Sequence, residues 1–191
     1  MNMNRECRWM LTIGTVASAL AALFGSTIYA ADPADKYMLS VPGGLAFSEF
    51  KGYESWETIS VHQSEKALGL IVGNPAMIDA YKAGMPGNGK PFPDGAMMAK
   101  TQWVPKKLET FPGPNVPGAL LDVGLMVKDS KRFADSGGWG YAMFKYDAAT
   151  ASYRPGTTND EPAQANDAKC GFACHSAVKS TDYVFTQYDN R

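Results

Sequence analysis

Cysteine is scarce in this chain: three in 191 residues, so a dense disulfide framework is excluded. Histidine is scarcer, with only His62 and His175, which limits imidazole chemistry to two positions. An excess of charge of either sign is absent, since 18 basic residues face 19 acidic ones. No cationic surplus is therefore available for multiple phosphate contacts, and nucleic-acid binding is disfavoured. No internal repeat and no long low-complexity tract occurs. A long apolar run is found only near the start, from Trp9 to Phe24.

That run follows Arg5 and Arg8 and leads through Gly25-Ser26-Thr27 to Tyr29-Ala30-Ala31. A basic start, a short apolar stretch and small residues beyond it predict a secretory signal over residues 1–30, cleaved near Ala30. An uncleaved anchor helix is the alternative, but spanning a bilayer takes about 20 apolar residues. Cys7 lies before the apolar run and would leave with the signal. Residues 31–191 are then expected to form a single exported domain, periplasmic or otherwise outside the cytoplasm, holding Cys170 and Cys174.

What is present reads as α+β, mainly β. Alternation predicts a strand over Trp56–Gln63, and Leu68–Val72 reads as a buried strand. Asn74-Pro75 is a helix start, with Asn74 as cap and Pro75 at the first helical position. Met77, Ile78 and Tyr81 supply its apolar face and Gly84 its end. Met85–Gly95 is loop. Further strands are expected over Ala96–Val104, Leu120–Val127 and Trp139–Tyr146, with a rigid surface connection over Phe111–Gly118. Val41–Gly44 reads as a turn. A short helix from Asp129 or Ser130 to Ala134, a polar loop over Arg154–Gln164, and helices over Asn166–Val178 and Asp182–Tyr188 complete the reading. The sum is an antiparallel sheet with a few short helices packed beside it.

Cys170-Gly171-Phe172-Ala173-Cys174-His175 carries the chemistry. Two thiols followed at once by an imidazole suit covalent c-type haem attachment, with thioethers to the vinyl groups and His175 on the iron. Three residues separate the cysteines where two are usual. On a helix, positions i and i+4 still share a face. Two other readings remain at this point: a Cys170–Cys174 disulfide in an oxidising compartment, and a zinc site that would have to recruit the remote His62. No methionine follows His175, so the downstream methionine ligand of small electron-transfer cytochromes is not expected. The sixth position is either open to a small ligand or taken by an upstream side chain, for which His62 is the remaining histidine; an open position suits gas binding or redox chemistry.

Several blocks together resemble the cytochrome P-460 family, which is related to the cytochromes c′-β. They are Tyr53-Glu54-Ser55-Trp56, Phe92-Pro93-Asp94-Gly95 with Lys100 after it, Val127 to Ala134, and Gly138-Trp139-Gly140-Tyr141. The cysteine motif running on to Lys179 and Asp182-Tyr183-Val184-Phe185 completes the set. The resemblance implies a mainly antiparallel β fold, a homodimer, and one five-coordinate c-type haem with His175 as proximal ligand. It also implies a lysine bonded through its side-chain nitrogen to the porphyrin edge, for which Lys100 is the match. Well-studied members oxidise hydroxylamine and would pass electrons to an external acceptor; c′-β members bind nitric oxide without the cross-link. A haem-free interaction domain with a disulfide is the reading outside that family.

For proton handling opposite His175 the candidates are Glu54, Glu57, His62 and Asp94, with His62 more readily a surface or structural residue. Trp103, Trp139, Tyr141 and Phe144 are expected in the core or against the cofactor. Lys106-Lys107 and Lys128 to Arg132 are expected on solvated faces.

Overall fold

Strand register decides which side chains meet, because successive residues of a strand point to opposite faces. In the computed structural model, which describes residues 35–41, 44–156 and 169–188, six strands pair antiparallel in chain order. They are β1 (Glu57–Gln63), β2 (Leu68–Gly73), β3 (Met97–Lys107), β4 (Asn115–Lys128), β5 (Trp139–Asp147) and β6 (Ser152–Pro155). One row across the sheet runs Ser60, Ile71, Lys100, Gly124, Met143. The adjacent row, on the opposite face, runs Val72, Ala99, Leu125, Ala142. The fold is α+β and mainly β, as expected.

The face carrying Ala99, Val123, Leu125 and Phe144 holds the main core. The N-terminal segment closes over it with Leu45, Phe47, Phe50 and Tyr53, all buried. Phe47 and Phe144 meet with ring centroids 4.7 Å apart. The other face is covered by the helix α1 (Pro75–Lys82) at one side and by the C-terminal segment. That segment contains α2 (Lys169–His175), a 3-10 helix (Ser176–Thr181) and an extended tail to residue 188.

α1 begins as its sequence predicts. Asn74 Oδ1 accepts the Met77 amide at 3.0 Å, Pro75 occupies the first turn, and Met77, Ile78, Ala80 and Tyr81 are buried. Gly84 follows the end with φ +87°, a conformation open to glycine. Gly44 N–H closes the expected turn onto the Val41 carbonyl, while Pro42 and Gly43 lie outside the described residues. So does the segment read as a secretory signal.

Several expectations are corrected. β4 starts at Asn115, inside the stretch expected as a connection, and Pro117 sits opposite Pro105 where the β3–β4 register shifts. A proline, lacking an N–H, is accommodated at such an irregularity. Asp129–Ala134 is a turn, not a helix. Asp129 Oδ1 takes the amides of Lys131 and Arg132, and only Ala134–Ser136 coils as a 3-10 helix. Part of the loop expected after Arg154 belongs to β6, which pairs with β5; residues 157–164 lie outside the described residues. Asp182–Tyr188 is not helical, because Asp182 and Tyr183 adopt φ of 50° and 64° and the chain then extends. Lys128 is not solvated. It is 5% exposed and ion-paired with Asp182. Trp103 is half-buried near the far end of β3, outside the core, while Trp139 and Phe144 are fully buried within it.

Candidate functional site

The face opposite the main core is lined by a lysine, methionines and glycines, and small residues there leave room. A Cβ at Gly124 would lie 3.7 Å from Lys100 Cε, so the glycine forms a floor beside the lysine stem. A Cβ at Gly69 would overlap the His62 ring, so the imidazole lies directly against β2. Between this face and the C-terminal segment is a cavity of about 370 Å³. The sheet contributes His62, Lys100, Met126 and Tyr141 to its wall, and the covering layer contributes His175 and Phe185. A mostly apolar wall with a few convergent polar groups is the general character of a small-molecule or cofactor site.

α2 reaches the sheet through a glycine. A Cβ at Gly171 would overlap the root of the Tyr141 side chain, so only glycine permits the observed approach. This docking sets His175 against Tyr141, with ring centroids 4.8 Å apart, while Phe185 meets the imidazole edge-on at 5.0 Å. His175 Nδ1 is 2.6 Å from the Tyr183 carbonyl oxygen. A carbonyl can only accept, so Nδ1 carries the proton and the lone pair is left on Nε2. Burial holds the imidazole below its usual pKa, with the Lys100 charge acting the same way and the Tyr183 bond acting against both. A neutral imidazole with an oriented, available Nε2 is a metal-ligand geometry.

Lys100 and His175, far apart in sequence, line one cavity. Cys174 carries a free, exposed thiol immediately before His175. Cys170 stands one turn earlier in α2. Among the described residues no three His, Cys, Asp or Glu side chains gather as a metal cluster, so the zinc reading gains no support.

Of the four candidates for proton handling, only His62 borders the cavity. It is half-buried there, and Gly69 across the strand leaves its ring the space. Burial and the Lys100 charge lower its pKa. Glu54 pairs with Lys36, Glu57 bonds the Tyr188 hydroxyl, and Asp94 is tied to Ser130 through its amide at 2.8 Å and its hydroxyl at 2.7 Å.

Three further groups, Asp122, Lys128 and Asp182, were not among the candidates for the chemistry of the site. Asp122 lies in the row next to Lys100 on the same face, and burial raises its pKa against the opposing Lys100 and Lys145 charges. Lys128 and Asp182 form a buried pair, and Asp182 directly precedes Tyr183, whose carbonyl meets His175. Asp122 could have been found from β4 alone, since Asp122, Gly124 and Met126 alternate with Val123, Leu125 and Val127. The Lys128–Asp182 pairing has no local signal.

The donor set fits a haem. An imidazole nitrogen faces a largely apolar cavity. Tyr141 lines it as well, and its buried hydroxyl has no hydrogen-bond partner among the described residues. Gly124 keeps the floor open. Residues 50–186 match the family model described as cytochrome P-460, a span that covers most of the chain. No curated protein matches the chain.

Proposed function

We propose that this chain, which belongs to the cytochrome P-460 family of haem-binding cytochromes, carries one covalent c-type haem and handles small nitrogen compounds at its iron. Cys170 and Cys174 would supply the thioether sulfurs, His175 Nε2 would ligate the iron, and Lys100 Nζ would bond to the porphyrin. When bound, the haem would supply a redox-active iron able to take hydroxylamine or nitric oxide.

The rest is done by this chain's own side chains. Tyr183 O fixes the imidazole tautomer. Ile71, Met98, Met126 and Met143 make the wall largely apolar and limit water. His62, held neutral by burial and by Lys100, offers a ring nitrogen that can take a proton from a substrate N–H or O–H. Electrons pass to an external acceptor. Export from the cytoplasm, removal of residues 1–30 and a homodimer belong to the same reading.

The observation that carries it is the convergence of Lys100 and His175 on one cavity. The test is the spectrum of the reduced protein produced with haem maturation. A lysine-bonded ring absorbs well to the red of an ordinary c-type haem, and Lys100→Ala should remove that feature while leaving haem on the chain. A red-shifted band that survives Lys100→Ala overturns the role of Lys100. A preparation whose mass equals the bare chain overturns covalent attachment. The apolar wall also favours a second reading, capture of nitric oxide without turnover. Ordinary c-type bands, tight gas binding and no hydroxylamine-dependent dye reduction would select it.

A further inference from the structure

We infer that the buried Lys128–Asp182 ion pair is a positioning device for the axial imidazole, acting through the backbone of Tyr183. The inference rests on the reading of His175 as the iron ligand. Lys128 Nζ donates to Asp182 Oδ1 at 2.8 Å and Oδ2 at 3.0 Å, and to the Gly137 carbonyl at 3.0 Å. Asp182 Oδ2 also accepts the Phe92 amide at 2.8 Å. The Lys128 ammonium stands 5.0 Å from the centre of the Trp139 ring. Their side chains are only 6% and 12% exposed. The carboxylate therefore ties the C-terminal segment to the end of β4 and to the loop before β3, and the Lys128 ammonium carries the tie on to the Gly137 turn.

The geometry next to this anchor is costly. Asp182 and Tyr183 are consecutive non-glycine residues with positive φ. Such residues persist only where their surroundings over-determine them. Here the surroundings are the ion pair on Asp182, the Tyr183 amide bonded to Val178 O at 3.0 Å, and the Tyr183 ring. That ring packs against Gly137, where a Cβ would overlap it, and against Phe172 of α2. The product of the strained turn is the direction of one carbonyl, Tyr183 O, aimed at His175 Nδ1. A ligating histidine whose other nitrogen donates to an acceptor is a stronger donor to the metal and is fixed in rotation. Neither Lys128 nor Asp182 is among the residues lining the cavity, so they act at one remove.

Releasing the pair lets residues 182–183 relax, and the Nδ1–H···O bond lengthens or is lost. The imidazole then donates less electron density. The iron–histidine stretching band of the ferrous protein should shift to lower wavenumber and the reduction potential should rise. Loss of an outer partner typically weakens metal affinity by about 10-fold to 100-fold. His175 should therefore be displaced at lower concentrations of an added strong-field ligand.

The experiment uses the haem-loaded protein and two variants, Asp182→Asn and Lys128→Met, with Phe144→Leu as a core control on the opposite face of the sheet. Asp182→Asn is nearly isosteric; if it does not fold, Lys128→Met still leaves Asp182 to accept the Phe92 amide. Both variants should lower the band and raise the potential, and Phe144→Leu should reduce thermal stability while moving neither. A folded, haem-loaded variant of the pair with the band and potential of the parent overturns the inference while leaving His175 as ligand. A parent protein with no iron–histidine band at all overturns the reading of His175 itself.

Discussion

Gly171→Ala tests the docking on which the site depends, because two effects of opposite sign compete there. Alanine in a helix interior is favoured over glycine by about 1 kcal/mol. Were α2 free of the sheet, that gain would be realised. In the structure the added methyl overlaps Cβ, Cγ and Cδ1 of Tyr141. These atoms are at the root of the side chain, and rotating the ring does not clear them; β5 or α2 must move. Overpacking of this kind costs about 1–3 kcal/mol, and a rigid neighbour places it toward the upper end. The balance is a loss of about 2 kcal/mol. For a domain of this size that corresponds to a fall of about 4–8 °C in Tm. The assay is thermal unfolding followed by circular dichroism and by the haem band, beside Gly113→Ala, where an added Cβ meets nothing within 4 Å. Gly113→Ala should be neutral or slightly stabilising. Since Tyr141 packs on His175, the same displacement should also shift the haem spectrum of Gly171→Ala. A Tm that rises by the propensity gain, with an unchanged spectrum, would refute the packing of α2 on Tyr141.

Two predictions concern stability around the site. Burial raises the Asp122 pKa above its ordinary 3.8, so the folded chain favours the protonated acid. That contribution is fully present below 3.8 and is lost as pH rises through the folded pKa, which makes the ionised group unfavourable at neutral pH. Asp122→Asn should therefore raise Tm at pH 7, with the advantage shrinking as pH approaches 3.8; an advantage independent of pH would show that Asp122 is not desolvated. Asn74→Ala removes a cap and also frees the Met97 amide, which Asn74 Oδ1 accepts at 3.0 Å. The loss should be about 2 kcal/mol in denaturant unfolding at unchanged m-value, against about 1 kcal/mol for a simple cap.

Features set by neighbours in sequence were readable, and features set by distant partners were not. Asn74-Pro75 declares α1 because the cap and the first-turn proline act within a few residues. Strands β1, β2, β3 and β5 are visible in their side-chain patterns. The cysteine–histidine motif stands out by its own residues and Lys100 only through the family blocks around it; the structure shows Lys100 and His175 lining one cavity. β6 was missed because Ser152–Pro155 contains an arginine and a proline and is stabilised by pairing with β5. The turn at Asp182–Tyr183 was read as helix because its propensities are unremarkable; a buried ammonium from β4 overrides them. His62 could not be separated from the other proton-handling candidates, because the residue that admits its ring, Gly69, lies on the neighbouring strand.

β4 explains why the cavity residues were hard to separate from the core. Val123, Leu125 and Val127 are buried on the N-terminal side, and Met126 is buried on the other. A strand covered on both faces reads as a continuous apolar run, so its period gives no clue to which face holds the cofactor. The interruptions carry that information. On the cavity face the run is broken at Asp122, at Gly124 and, one strand away, at Lys100, each a poor choice for a hydrophobic core. A glycine costs strand stability and a half-buried lysine costs desolvation. Their alignment in adjacent rows of one face means that these costs fall together where the cavity opens. The opposite face of the same strands, filled by Ala99, Val123, Leu125 and Phe144, supplies the stability that lets them persist. Filling the cavity face alone, for instance by Gly124→Leu, should then leave a folded chain that takes up haem poorly, which separates the two faces by function.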